Sequence, residues 1–246
     1  MSAPDRPRTA LISGGSRGLG LAVAERLLAE GTRVATFSRS STPALEELRD
    51  KYPDELWWSP ADLRDTGELH RVVARAAEHF GGLDILVNNG GLLHQELLLT
   101  HATARVEELV AVNLVAPMVL AQAAARVMSR TGGGAIVNVS SINAIRGFRG
   151  VSVYAGAKAG LDGFGRSLAR ELGPLGIRVN SVVPGFFDTD MTAAVSAQNR
   201  ERITRRTPLG RLASVAEIAE VVLFLCSAPS SFITGQTLVV DGGITC

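Results

Sequence analysis

Short runs of apolar and β-branched residues alternate along this chain with segments whose apolar residues recur at helical spacing. Such alternation predicts a parallel sheet covered by helices on both faces. The runs are apolar almost throughout, as is typical of strands buried on both sides. The fold class is therefore predicted to be α/β, with a doubly wound, seven-stranded parallel sheet. The predicted strands are residues 9–13, 33–38, 55–59, 84–88, 135–140, 177–183 and 237–240.

The alternation continues along almost the whole chain without a linker, low-complexity stretch or internal repeat. Residues 1–246 are therefore predicted to form a single domain. The segment 186–212 is the exception, because it carries little strand signal and includes TRRTPLGR at 204–211. We expect a helical substrate lid there, close to the carboxyl ends of the late strands.

Charge and hydropathy exclude two classes of partner. The chain has 25 Lys and Arg against 24 Asp and Glu, with no block of like charges, which argues against a nucleic-acid partner. The most apolar long stretch, 109–128, is interrupted by Asn113, Pro117, Gln122 and Arg126. These interruptions indicate a protein without a membrane span.

The two cysteines, Cys226 and Cys246, have no CxxC spacing. They indicate neither a disulfide framework nor a zinc site, and no other metal site is predicted. The first residues, MSAPDRPR, lack the apolar region of a signal peptide. A soluble, cytoplasmic protein is therefore expected.

The first predicted strand runs directly into SGGSRGLG (13–20), and a helical pattern begins at its end. Glycines at this position let the backbone turn tightly and approach a pyrophosphate, while the helix N-terminus offers unpaired N–H groups and a partial positive charge. In a chain with 26 glycines, a purely structural turn is the alternative. The position within one strand–helix–strand unit favours a dinucleotide site. The predicted contacts in this loop are Gly14, Ser16, Arg17, Gly18, Leu19 and Gly20.

The second predicted strand ends in Ser38 and Arg39, without the acid that binds the ribose hydroxyls in NAD-dependent units of this kind. Arg17 in the glycine loop adds a second cation. Two arginines can hold a 2′-phosphate through charge-assisted hydrogen bonds, so NADPH/NADP⁺ is the predicted cofactor. Two arginines on a solvated rim remain the alternative.

A candidate for acid–base chemistry lies in YAGAK (154–158), where Tyr154 and Lys158 are four residues apart in a strongly helical segment. Their side chains project from one face of the helix. A nearby ammonium favours phenolate and moves a tyrosine towards the pH range in which it can exchange protons. The alternative is that Tyr154 and Lys158 are merely neighbours on the protein surface, as most Tyr and Lys pairs at this spacing are. Ser141, at the end of the predicted strand 135–140, favours a site here, because ligands of open α/β sheets bind at that edge.

These motifs, in this order and spacing, resemble the short-chain dehydrogenase/reductase family over essentially the whole chain. The resemblance implies a Rossmann-type fold. The matching segments are SGGSRGLG (13–20), Asp62-Leu63, NNGG (88–91), Asn113, Ser141, YAGAK (154–158) and PGFFDT (184–189).

The resemblance also implies roles for individual residues. Tyr154 would be the general acid–base, and Lys158 would lower its pKa and hold the nicotinamide ribose. Ser141 would hydrogen-bond the substrate carbonyl, and Asn113 would position a water in the proton relay. The cofactor contacts implied beyond the glycine loop are Asp62 and Leu63 at the adenine, Asn89 at the adenosine ribose with Gly90 and Gly91 beside it, and Pro184, Gly185 and Thr189 at the nicotinamide.

Three late segments, 184–192, 208–227 and 233–243, are similar to 3-oxoacyl-carrier-protein reductases and polyketide ketoreductases. The similarity implies NADPH-dependent reduction of a 3-oxoacyl thioester, borne by an acyl carrier protein, in fatty-acid or polyketide biosynthesis. A dehydrogenase of a sugar, steroid or other secondary alcohol, which uses NAD or NADP, is the alternative within enzymes. A non-catalytic dinucleotide sensor is the alternative of another class.

Two features depart from the family pattern. Gly90 stands where the family usually has Ala, and the segment 171–176 lacks obvious basic residues with which to dock an acidic carrier. The arginines that could dock a carrier instead are Arg126, Arg130, Arg146 and Arg149.

Some residues are open to two interpretations. His94 follows NNGG and either touches substrate or is a partly exposed loop histidine, and Trp57 and Trp58 indicate packing rather than a cofactor contact. The predicted helices at 103–129 and 152–173 carry more apolar surface than one sheet can cover, so they predict a homotetramer or dimer.

Overall fold

Seven parallel strands form one sheet in the computed structural model, which describes residues 6–187 and 196–246. The predicted α/β fold class is confirmed, and each strand lies within one residue of its predicted bounds. The order across the sheet is β3-β2-β1-β4-β5-β6-β7. The first three strands are added to the sheet in one direction and β4 to β7 in the other, so the strand order reverses between β1 and β4. This reversal opens a crevice at the carboxyl ends of the strands. The strands are β1 (Thr9–Ser13), β2 (Arg33–Ser38), β3 (Leu56–Pro60), β4 (Ile85–Asn88), β5 (Gly134–Val139), β6 (Ile177–Pro184) and β7 (Thr237–Val240).

Helices cover both faces of this sheet, as predicted. Leu69, Leu120 and Leu168, from α3, α5 and α6, belong to the core on one face, and Leu27 and Val222, from α1 and α8, belong to the core on the other. The helices are α1 (Gly18–Ala29), α2 (Pro43–Lys51), α3 (Thr66–Phe80), α4 (Thr103–Val110), α5 (Ala116–Met128), α6 (Ser152–Leu172), α7 (Ala197–Arg206) and α8 (Val215–Cys226).

The long helix predicted at 103–129 is interrupted by a π-helical turn, Ala111–Val115, between α4 and α5. By length and composition the whole stretch Thr103–Met128 could cross a membrane, so its polar interruptions do not exclude a membrane span. Yet 56% of its most apolar window is buried, and α5 packs on α3 and on the central strands β4 and β5. A core helix meets the same length and composition criteria.

The single domain predicted for residues 1–246 stays a prediction, supported by a sheet that contains both β1 and β7. Part of the lid predicted at 186–212 is helical, because α7 spans Ala197–Arg206. Residues 188–195 of that segment lie outside the described ranges.

The two cysteines lie in contrasting surroundings. Cys226, at the end of α8, is 1% exposed, and burial raises the pKa of its thiol to about 12. Cys246 is exposed. The thiolate is the reactive form, so the two thiols should react at very different rates.

We predict that native protein titrates one thiol per chain with an aromatic disulfide reagent, followed by absorbance, and that both thiols react after denaturation. Cys246→Ser should abolish the native signal. Rapid reaction of two thiols in the folded protein would contradict the burial of Cys226.

Candidate active site

A cavity of about 1010 Å³ opens at the carboxyl ends of the central strands. It brings together most of the residues predicted for cofactor and substrate. Gly20, Gly90 and Asn113 do not line it, and Thr189 lies outside the described residues. The predicted residues that line it are Gly14, Ser16, Arg17, Gly18, Leu19, Ser38, Arg39, Asp62, Leu63, Asn89, Gly91, Ser141, Tyr154, Lys158, Pro184 and Gly185.

Two glycines are required for the turn between β1 and α1. Gly14 has a φ of +71°, and a Cβ there would lie 3.0 Å from the Cα of Gly90. A Cβ on Gly20 would lie 2.4 Å from the Gly14 carbonyl oxygen. Thr36 on β2 holds the turn, because its hydroxyl accepts from the Gly15 N–H at 3.1 Å and donates to the Ile12 carbonyl at 2.8 Å. The first turn of α1 therefore faces the cavity, as a pyrophosphate site requires.

The cation pair predicted to hold a 2′-phosphate lies at one end of this cavity. Arg17 and Arg39 are both exposed and both line it. The hydroxyl of Ser38 accepts a hydrogen bond from Trp58 Nε1 at 2.9 Å and donates to the Ser40 carbonyl at 2.8 Å. Trp58 is thus a support for the end of β2, which is a more definite role than the packing expected of it.

Asp62, predicted to lie at the adenine, is bound by an arginine that the sequence analysis missed. Arg64 Nη2 lies 2.6 Å from Asp62 Oδ2, and Arg64 Nη1 lies 3.4 Å from a carboxylate oxygen of Glu108 on α4. The Arg64 guanidinium holds the pKa of Asp62 below its usual value, with a smaller contribution from Arg39. His94 Nε2 lies 3.5 Å from Glu108, and His94 does not line the cavity. The loop interpretation of His94 is therefore favoured.

The loop after β4 is fastened to the glycine loop. The Ser13 hydroxyl accepts from the N–H groups of Asn89 and Gly90 at 3.0 and 2.9 Å. The Asn89 side chain donates to the Ser13 and Gly14 carbonyls at 3.0 and 3.2 Å. A Cβ on Gly90 would lie 2.7 Å from Leu63 Cδ1. Leu63 therefore occupies the space that the family's usual alanine would need.

Asn113 lies in the π-helical turn and is fully buried. Its amide donates to the Leu92 and Leu109 carbonyls at 2.8 and 2.9 Å, and its oxygen accepts from the Leu92 N–H at 3.1 Å. A Cβ on Gly91 would meet Asn113 Oδ1 and Lys158 Nζ at 3.0 and 3.7 Å, so both polar atoms border the same point. Such turns are often found at functional sites. The role of Asn113 in holding a water stays a prediction.

Ser141, Tyr154 and Lys158 meet where β5 and α6 approach each other. Burial raises the pKa of Tyr154, and its hydrogen bond with Ser141 acts in the opposite direction. Lys158 Nζ lies 5.9 Å from the centre of the Tyr154 ring and donates to the Val139 carbonyl at 2.8 Å. Burial lowers the pKa of Lys158 to about 8. The sequence predicts a lowered pKa for Tyr154; the structure has a raised one, because burial of the phenol dominates.

Comparison with known proteins agrees with this geometry. A family model described as Enoyl-(Acyl carrier protein) reductase matches residues 14–245. The 3-oxoacyl-[acyl-carrier-protein] reductase FabG of Aquifex aeolicus is 37% identical over 240 residues, which cover 96% of this chain and 97% of that protein. The 3alpha-hydroxysteroid dehydrogenase of Mediterraneibacter gnavus is 37% identical over 239 residues, 96% of each chain. The chain belongs to the short-chain dehydrogenase/reductase family.

A solved structure of a Serratia marcescens short-chain dehydrogenase/reductase variant superposes with a TM-score of 0.92. It is 35% identical, and the match covers 99% of this chain and 100% of that one. The present short-chain dehydrogenase/reductase is therefore an oxidoreductase with a Rossmann-type fold. Its site fits the dinucleotide of this family, because the glycine turn leaves no room for a Cβ at Gly14 or Gly20 and presents the start of α1 to the cavity.

A buried acid beside Lys158 is a second feature that the sequence analysis missed. Asp162 follows Lys158 by one helical turn on α6 and is 4% exposed. The Ser140 hydroxyl donates to its Oδ2 at 3.0 Å, while its Oδ1 is buried without a hydrogen-bond partner in the described part of the chain. The Asp162 carboxylate raises the pKa of Lys158 against the effect of burial. The sequence signal for this contact is the spacing of Lys158 and Asp162, which are four residues apart and therefore neighbours on the helix.

Replacing Asp162 with Asn removes the carboxylate that opposes the desolvation of Lys158. The pKa of Lys158 should therefore fall further below about 8. The ammonium exists below its pKa, so NADPH binding that depends on its charge should be lost at a lower pH in the variant than in wild type. Fluorescence titration of NADPH across a pH series measures this shift.

Glu78→Gln is the control, because it removes a carboxylate from an exposed position on α3 that does not line the cavity. It should leave the pH midpoint of NADPH binding where wild type has it. An Asp162→Asn midpoint equal to that of wild type would contradict the coupling of Asp162 to Lys158.

Proposed function

We propose that this protein is an NADPH-dependent ketoreductase that reduces a 3-oxoacyl thioester to the 3-hydroxyacyl product, with the acyl group borne by an acyl carrier protein. The observation that carries the proposal is the hydrogen bond between half-buried Ser141 and buried Tyr154, with the Lys158 ammonium 5.9 Å from the tyrosine ring, in a cavity large enough for cofactor and substrate. The similarity to a 3-oxoacyl-carrier-protein reductase supports the substrate class and a place in fatty-acid or polyketide biosynthesis. We expect the cytoplasm as its compartment.

The cofactor end of the site binds phosphate by two devices. The N–H groups at the start of α1 face the pyrophosphate, while Arg17 and Arg39 bind the 2′-phosphate that distinguishes NADPH from NADH. Asn89 and Leu63 border the adenosine, and Pro184 and Gly185 border the nicotinamide. When bound, the nicotinamide supplies the hydride.

The raised pKa of Tyr154 suits reduction. It keeps the phenol protonated at neutral pH, ready to donate its proton to the oxygen of the substrate carbonyl as charge develops there. Ser141 donates a second hydrogen bond to that oxygen. In a buried site such fixed donors stabilise a developing alkoxide more strongly than water does.

Lys158 then stabilises the phenolate that remains on Tyr154. With a pKa of about 8 it is still mostly charged at neutral pH, and the buried carboxylate of Asp162 helps it remain so. The buried charge thus acts on both the ribose and the phenolate, which is why we assign Lys158 to catalysis as well as to binding.

The substrate half of the cavity contains a group of apolar side chains, which suits an acyl chain. The lining side chains there include Ile142, Phe148, Val151, Phe186 and Ile203. The same lining fits a steroid, and a hydroxysteroid dehydrogenase is as similar to this chain as the carrier-protein reductase is. A dehydrogenase of a steroid or other secondary alcohol is therefore the second candidate. A catalytically silent sensor has no need of the Ser141, Tyr154 and Lys158 arrangement.

We further propose that the protein forms a homotetramer or dimer through the helices at 103–129 and 152–173. A groove between α5 and α6 has apolar side chains, Met118, Val119, Phe164 and Leu172, beside the polar Gln122, Arg126, Ser129 and Glu171, and a second subunit would cover it.

A substrate panel tests the proposed function. NADPH oxidation is followed with an acetoacetyl thioester, a 3-oxosteroid, ketones and sugars, and with an enoyl thioester because the matching family model carries that name. The 3-oxoacyl thioester should give the highest kcat/KM. Preference for the steroid would transfer the assignment to the second candidate, and no turnover of any compound would favour the sensor.

The cofactor preference follows from Arg17 and Arg39. Wild type should prefer NADPH, and the Ser38→Asp/Arg39→Gln variant should shift preference towards NADH, because it replaces a phosphate-binding cation with an acid that binds ribose hydroxyls. The kcat/KM for both cofactors measures this. A tenfold preference of wild type for NADH, about 1.4 kcal/mol, would contradict the phosphate clamp.

The assignment of Tyr154 is tested by Tyr154→Phe, which removes only the hydroxyl. Turnover should fall by roughly 10²–10⁴-fold, as for a lost general acid, while folding and NADPH binding persist. Fluorescence titration separates the two effects. Tyr52→Phe provides the control, because that tyrosine lies at the end of α2, away from the cavity. Near-normal turnover in Tyr154→Phe would leave the proposed acid without a role.

A further inference from the structure

The substrate half of the cavity is apolar within and cationic at its rim. Arg146, Arg202 and Arg206 line this half, and no acid lines it among the residues that the structure describes. The two acids in the cavity wall, Asp62 and Glu108, lie at the adenine end, where Arg64 binds both. Among the described residues, the substrate end therefore has lining arginines and no lining acid.

Two of these cations are arranged on one face of α7. Arg202 and Arg206 are four residues apart, so their guanidinium groups are neighbours and repel each other. Neither forms a salt bridge with a carboxylate of the described ranges, whereas Arg205 on the same helix lies 3.6 Å from Glu201 and outside the cavity wall. An anion between Arg202 and Arg206 would relieve the repulsion that the helix now bears.

Apolar side chains connect this rim with the reacting groups. Ile203 lies on the same helix between the two arginines, and Ile244 and Phe148 line the cavity beside Arg146. Arg146 Nη1 donates to the Ile244 carbonyl at 3.1 Å, which fixes its guanidinium at the mouth. A ligand that suits this half has an apolar body and an anionic end.

We propose that Arg202 and Arg206, with Arg146, form an anion subsite for the phosphate of a phosphopantetheine thioester. Guanidinium groups bind phosphate through paired, charge-assisted hydrogen bonds, and two or three of them suit a phosphate better than a neutral alcohol or sugar. The inference rests on the proposed thioester reduction and deepens it. The same phosphate is present in coenzyme A and in the prosthetic arm of a carrier protein.

Three acetoacetyl thioesters test the subsite: the N-acetylcysteamine ester, which has no phosphate, the 4′-phosphopantetheine ester and the carrier-bound ester. The measured quantity is kcat/KM for each at saturating NADPH. In Arg202→Gln/Arg206→Gln, the ratio of the phosphopantetheine ester to the N-acetylcysteamine ester should fall about tenfold, the size expected for lost charge-assisted hydrogen bonds. The fall should be smaller at high salt, which screens exposed charges.

Arg205→Gln is the matched control, because it removes a cation from the same helix but not from the cavity wall. Its substrate ratio should equal that of wild type. An equal loss on all three thioesters would mean that α7 is merely damaged, and a loss confined to the carrier-bound ester would mean that α7 contacts the carrier's own surface. Either result, or an unchanged ratio, would overturn the phosphate subsite.

A binding measurement separates failure of the subsite from failure of the proposed function. If wild type reduces none of the thioesters, including the neutral one, the proposed function fails. Calorimetric titration with 4′-phosphopantetheine at saturating NADP⁺ then tests the subsite alone. Weaker binding to Arg202→Gln/Arg206→Gln than to Arg205→Gln would support the subsite, and equal binding would overturn it.

Discussion

The close approach of the loops after β1 and β4 is the constraint on which the rest of the site depends. A Cβ on Gly14 would lie 3.0 Å from the Cα of Gly90, and hydrogen bonds of Ser13 and Asn89 hold the two loops together. Because β1 and β4 are neighbours at the point where strand order reverses, this contact lies at the floor of the crevice. It places the start of α1, the cation pair after β2 and the reacting groups after β5 around one cavity.

Burial is the second organising factor, and it acts on two reacting groups in ways that suit the same chemistry. Removal from water disfavours charge, so it raises the pKa of Tyr154 and lowers that of Lys158. The phenol stays protonated until substrate takes its proton, while the lysine is kept mostly charged by Asp162. An isolated lysine at this depth would lose its charge more readily; the Ser140 and Asp162 pair is thus part of the site although neither side chain was predicted.

The elements of the fold could be read from the sequence because doubly buried strands are nearly continuous apolar runs, and all seven were located. The site residues were placed around one cavity because ligands bind at the carboxyl edge of such sheets. What could not be predicted depends on contacts between distant segments or on backbone register. The π-helical turn around Asn113, the contact of Arg64 with Glu108 on α4, and the direction of the Tyr154 pKa shift are examples.

The charges of the cavity show the same dependence on packing. At the end of the cavity proposed for the adenine, Arg64 binds the acids Asp62 and Glu108, and Arg17 and Arg39 line the same cavity. On α7, Glu201 pairs with Arg205, which does not line the cavity. Arg202 and Arg206, which do line it, form no salt bridge with a described acid. Judged by composition alone, the arginines and the glutamate of α7 would indicate a solvent-exposed helix. Helical spacing instead places Arg202 and Arg206 at the cavity wall and Arg205 outside it, and the proposed anion subsite rests on this division.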